Sequence, residues 1–140
     1  WWTKVVANPL AKSHSHISPS MSSWIATSSG IRGLDLNYVT NKNSCGAELY
    51  IDRGKDSQEE NKRLFDQLKK HQTQIDSSIS AFVNWQRLDT RRACRIRIDL
   101  PGGYRSPEEE WTQIQEKMIN VMNELEEALK PALKALKENT

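Results

Sequence analysis

Two carboxylates and a group of arginines are the residues of this sequence best suited to chemistry, and spacing tests each set. Asp35 and Glu48 fall in neighbouring segments of alternating polarity. Metal-dependent nucleases of the restriction-enzyme type carry one carboxylate near the start of a strand and a second in the next strand, with a lysine two residues on. The carboxylates hold magnesium and the lysine supports the attacking water. Here the second segment reads Glu48-Leu49-Tyr50, with tyrosine where lysine is needed, and Lys55 lies beyond Gly54. The pattern for this reaction is incomplete, and the sequence leans towards a domain without catalysis.

The arginines are denser. In Ala93-Cys94-Arg95-Ile96-Arg97-Ile98-Asp99-Leu100 the polarity alternates strictly. Successive strand residues point to opposite faces, so Cys94, Ile96, Ile98 and Leu100 turn one way and Arg95, Arg97 and Asp99 the other. Arg87 lies in the preceding segment, residues 83–88, with Trp85 on its face by the period of two. Arg91 and Arg92 lie in the turn between. Guanidinium groups interleaved with an aromatic ring can grip phosphate and stack on a base. Trp85, Arg87, Arg91, Arg92, Arg95 and Arg97 are therefore a candidate nucleic-acid contact. The competing reading is a solvated outer face on which Arg95 and Arg97 pair with Glu48 or Asp52 across the sheet. A continuous, uncompensated face would decide for nucleic acid.

The turn Asp52-Arg53-Gly54-Lys55-Asp56 is the densest charged stretch. Arg53, Lys55 and the start of the following helix could hold an anion. It lacks the several glycines and terminal Lys-Ser/Thr of a phosphate loop, so a strand-to-helix turn permitted by Gly54 is the simpler role. His14 and His16 stand two apart without a nearby cysteine, and two ligands do not make a zinc site. No metal or cofactor is expected. Cys45 and Cys94 are the two cysteines of the chain. One bridge is arithmetically possible, but two reduced, partly buried thiols in a cytoplasmic protein fit better. No Gly-x-Ser-x-Gly nucleophile elbow is present.

The elements that must position these groups follow from periodicity. Trp1, Trp2, Val5, Val6 and Leu10 have helical spacing, with Pro9 as a stop. A polar stretch from Lys12 to Ser23 reads as a surface loop. Strands are predicted over 24–28, 34–39 and 47–52, then a helix over about 57–79 with a polar gap at His71-Gln72. A second hairpin spans 83–88 and 93–100. Ser106-Pro107-Glu108-Glu109 is a helix start with a capping box. From Trp111 an apolar stripe runs through Ile114, Met118, Val121, Met122, Leu125 and Leu129, and Pro131 is expected to bend or restart the helix. The order α-βββ-α-ββ-α predicts an α+β fold: a mostly antiparallel sheet of about five strands with helices packed on one face.

At 140 residues the chain is the size of one domain, and 1–140 reads as such. A formal charge of +2 gives only weak general attraction to nucleic acid or anionic lipid. No apolar run approaches the roughly 20 residues of a membrane helix, so no membrane partner is expected. A first residue other than Met suggests a start inside a longer chain.

Taken in order, Ala47-Glu-Leu-Tyr-Ile-Asp-Arg-Gly-Lys-Asp56, Phe65-Asp-Gln-Leu68, Trp85-Gln-Arg-Leu88 and Arg92-Ala-Cys-Arg-Ile96 give the chain a further character. It resembles the uncharacterised prokaryotic family known as domain of unknown function 4268, from Trp2 to about Leu133. The resemblance implies a C-terminal domain of a larger protein, some members having nuclease-like or defence-associated regions upstream. It assigns no catalytic residues. The combined expectation is a non-catalytic accessory module of a DNA-metabolism or defence protein that contacts nucleic acid. A helix-mediated interaction or assembly domain, docking on an upstream domain or a second copy, is the first alternative. A nuclease using Asp35 and Glu48 is the second.

Overall fold

A computed structural model of the protein describes residues 1–19 and 21–138. The alternating segments form β1 (Trp24–Ile31), β2 (Leu34–Thr40), β3 (Ser44–Ile51), β4 (Asn84–Gln86) and β5 (Cys94–Pro101). They make one five-stranded sheet in the order β1-β2-β3-β5-β4, antiparallel at every pairing. The helices are α1 (Trp2–Ala7), α2 (Gln58–Lys69), α3 (Gln72–Ser77) and α4 (Glu108–Glu138). The α+β architecture and its element order are those expected from the sequence.

Period-two alternation sends Leu34, Leu36 and Tyr38 of β2, Cys45, Ala47, Leu49 and Ile51 of β3, and Cys94, Ile96 and Ile98 of β5 to one face. All are buried there. Against them pack Leu64, Phe65 and Leu68 of α2, Ile75 of α3, and the α4 stripe of Met118, Ile119, Met122, Leu125 and Leu129. That stripe is consumed by the protein's own core. Burial of this much apolar surface, at about 25 cal/mol per Å², is what holds helices and sheet together.

Several local expectations are corrected. The helix expected over 57–79 is two, α2 and α3, broken at Lys70-His71, where the polar gap leaves no core-facing side chain to carry the stripe through. The capping box before α4 does not form: the Ser106 hydroxyl accepts from the Gly103 N–H at 3.2 Å instead. Pro131 sits inside an unbroken α4. The Lys12–Ser23 stretch is not all surface. A 3-10 turn at Lys12–His14 buries His14, whose Nε2 donates to the Leu36 carbonyl at 2.9 Å while Nδ1 accepts from Ser13 at 2.7 Å. Burial holds the imidazole well below its ordinary value, at about 4, so it is neutral in the fold.

Cys45 and Cys94 are both free and buried. Cys45 lies opposite Leu100 and Cys94 opposite Ile51, at the two ends of the β3–β5 ladder. That is a separation of about 20 Å at strand rise, far beyond the reach of a disulfide.

Candidate binding site on the open sheet face

The face of the sheet turned away from the helices is a grid set by strand register. One row reads Ser28, Asp35, Tyr50, Arg95, Gln86; the next Ala26, Asn37, Glu48, Arg97, Asn84; the third Trp24, Val39, Gly46, Asp99. Gly46 brings no side chain to the third row, and a Cβ there would meet the Ile98 carbonyl oxygen at 2.0 Å. Ala26 is the smallest side chain of the second row. Small residues between larger ones leave a depression of about 450 Å³, lined among others by Trp24, Asp35, Asn37, Glu48, Tyr50, Arg95 and Arg97.

Within it, Glu48 and Arg97 form a nearly buried ion pair at 3.1 Å, with side-chain exposures of 4% and 11%. Arg97 also donates to Asp99 at 2.8 Å. Asn37 Nδ2 donates to the second Glu48 oxygen at 3.4 Å. Burial raises the Glu48 carboxyl above its usual range, while Arg97, Arg95 and the Asn37 bond draw it back. Beside this closed cluster stand groups without partners. Asp35 has no hydrogen bond or ion pair among the described residues, and burial raises its pKa. Asn37 is only 7% exposed and its Oδ1 has no donor among the described residues. A buried unsatisfied acceptor costs about 1–3 kcal/mol. Arg95 commits Nε to Gln86 at 2.8 Å, and the Nη groups of its fork have no hydrogen bond among the described residues. Trp24 stays 54% exposed at the rim.

The other residues singled out in the sequence are dispersed. Trp85 is corrected to the opposite face: it lies opposite Ile96, stacks edge-on against Phe65 at 6.0 Å, and donates its indole N–H to Asp76 at 2.9 Å. It shares no face with Arg95 or Arg97. Arg87 lies past the end of β4 and is held by Asp66 at 3.0 Å and by Asp89. Arg92 pairs with Asp52 at 2.7 Å, and Arg91 is exposed in the loop. The arginines thus form no continuous uncompensated stripe; carboxylates offset Arg87, Arg92 and Arg97.

That loop is anchored from within by two residues of α2 that the sequence reading passed over. Lys62 donates to the carbonyls of Arg87, Leu88 and Ala93 at 2.6, 2.9 and 2.9 Å. Asn61 accepts from the Arg53 N–H at 2.9 Å and donates to the Arg92 carbonyl at 3.2 Å. Arg53 and Lys55 therefore sit on a turn tied to the fold through Asn61. Gly54 adopts φ +107° in that turn, as a strand-to-helix bend requires. Asp35 and Glu48 do share the depression, but Arg97 engages Glu48, and Tyr50 stands where a nuclease would need lysine. Among the described residues no three His, Cys, Asp or Glu side chains gather as a metal-binding group, and no helix is long and apolar enough to cross a membrane.

Fold and face together define an α+β domain with a helix-backed sheet and an open, partly unsatisfied face. The chain belongs to the family described as Domain of unknown function (DUF4268), whose model matches residues 1–133. Neither a curated protein nor a solved structure matches it.

Proposed function

We propose that this domain is a non-catalytic accessory module of a DNA-metabolism or defence protein, acting in the cytoplasm, and that it takes one unpaired nucleotide of single-stranded nucleic acid into the sheet-face depression. The observation that carries this reading is the grouping of a half-exposed Trp24, an uncommitted Arg95 fork and unpartnered acceptors in one depression of about 450 Å³.

Base stacking on an aromatic ring supplies about 1–3 kcal/mol and tolerates any base. A guanidinium fork matches phosphate oxygens two at a time. Because Asp35, Glu48 and Asp99 accompany Arg95 and Arg97 on this face, binding does not depend on tracking a long phosphate backbone. It depends on one nucleotide splayed out of a stack, which a duplex does not offer without unpairing. The DNA-metabolism or defence context rests on the family resemblance.

Fluorescence anisotropy with single- and double-stranded oligonucleotides at two salt concentrations tests this. Single strands are expected to bind with a shallow salt slope, about one released counterion, and Trp24→Ala to weaken binding about tenfold or more. Equal binding of duplex and single strand, or undiminished binding by Trp24→Ala, overturns the reading.

A further inference from the structure

We infer that the depression selects guanine, with the two oxygens of the Asp35 carboxylate receiving its N1–H and N2–H; this rests on the nucleotide-binding reading above. Asp35 and Asn37 alternate along β2 on the open face. Both line the depression. The Asp35 carboxylate has no donor among the described residues and is only partly buried, so it is open to a ligand. An ionised carboxylate is acceptor-only. The site therefore asks for a ligand edge rich in adjacent N–H groups.

The bases differ sharply in that respect. Guanine presents N1–H beside an N2 amino group, three hydrogens on two neighbouring nitrogens. Adenine and cytosine each set an amino group beside a ring-nitrogen acceptor. Thymine and uracil offer one N–H between two carbonyls. Those acceptors would face the carboxylate oxygens of Asp35 and repel them. The two carboxylate oxygens of Asp35 match N1–H and the neighbouring N2–H of guanine two at a time. Tyr50 is directly opposite Asp35 across the β2–β3 ladder, and its hydroxyl can donate to the guanine O6. Trp24 at the rim offers the stacking surface. Arg95 lies two strands from Asp35, about 10 Å at the usual strand spacing, on the side where the sugar-phosphate would leave. Removing one base-edge contact of this kind costs a discrimination of about tenfold.

Thymidine heptamers carrying a single central guanine, inosine, adenine or cytosine separate the possibilities by anisotropy with the intact domain. Guanine is expected to bind about tenfold tighter than adenine or cytosine, and inosine, which keeps N1–H and lacks the N2 amine, to fall between them. Asp35→Asn, which replaces one acceptor oxygen by a donor, is expected to erase the guanine preference, bringing the guanine and adenine heptamers within about twofold of one another. The inosine series needs no variant and holds even if Asp35→Asn folds poorly. Equal binding of all four heptamers overturns base selection and leaves the nucleotide reading standing. No binding by any heptamer overturns both.

Discussion

The two faces of this sheet are built from alternate residues of the same strands, yet one is covered by helices and the other is open. On the helix side, Cys94, Ile96 and Ile98 are buried against α2 and α4, and even the awkward Lys62 ammonium finds three carbonyls. On the open side, Arg95, Arg97 and Asp99 interleave with them. The Glu48–Arg97 pair is closed, but Asp35 and Asn37 Oδ1 are not. A fold needs the first face for its stability. The second carries the depression in which the proposed nucleotide would complete the surface.

The contrast is sharpest along β5. Ile96→Ala removes a fully buried side chain and is expected to cost about 2–5 kcal/mol, whereas neighbouring Arg95→Ala is expected to shift stability by less than about 0.5 kcal/mol. Urea denaturation of both variants measures the difference; comparable losses would erase the distinction between the faces.

A smaller effect comes from pH. Burial holds His14 at about 4 against an ordinary 6.5, so between those values the unfolded chain binds more protons and stability falls as pH drops. Asp35 and Glu48 act with the opposite sign: their folded pKa values are raised, so their contribution is present at low pH and lost as pH rises. The difference between wild type and His14→Gln isolates the histidine. Between pH 7 and 5 the wild type is expected to lose about 2 kcal/mol more than the variant. Parallel pH profiles in urea melts would show that His14 is not held neutral.

Much of this was legible in the residue order. The alternation of Leu34-Asp35-Leu36-Asn37-Tyr38 and of Cys94 to Leu100 announces two faces, and the helical stripe from Ile114 to Leu129 announces its partner. The placement of Trp85 was not legible. Its side depends on β4 ending at Gln86 and on its register with Ile96, both settled by tertiary pairing rather than by the local period. The compensation of Arg87 and Arg92 was hidden for a similar reason, since Asp66 and Asp52 lie 21 and 40 residues away in sequence. Asn37 and Trp24 left a usable signal that went unread. Trp24-Ala26-Ser28 and Asp35-Asn37-Val39 occupy the open-face positions, and a large aromatic next to small residues on an otherwise polar face is a depression in outline. The roles of Asn61 and Lys62 had no such signal, because a polar residue on a helix reads as solvated until the loops it binds are placed.

The central claim is that the open-face depression, rather than the arginine-bearing loop, is where nucleic acid sits. Photo-crosslinking to a single-stranded oligonucleotide containing one 6-thioguanine, which keeps N1–H and the N2 amine, followed by peptide mass spectrometry, tests it most directly. Adducts are expected on Trp24 or Tyr50; adducts confined to residues 87–92 or to α4 would contradict the account.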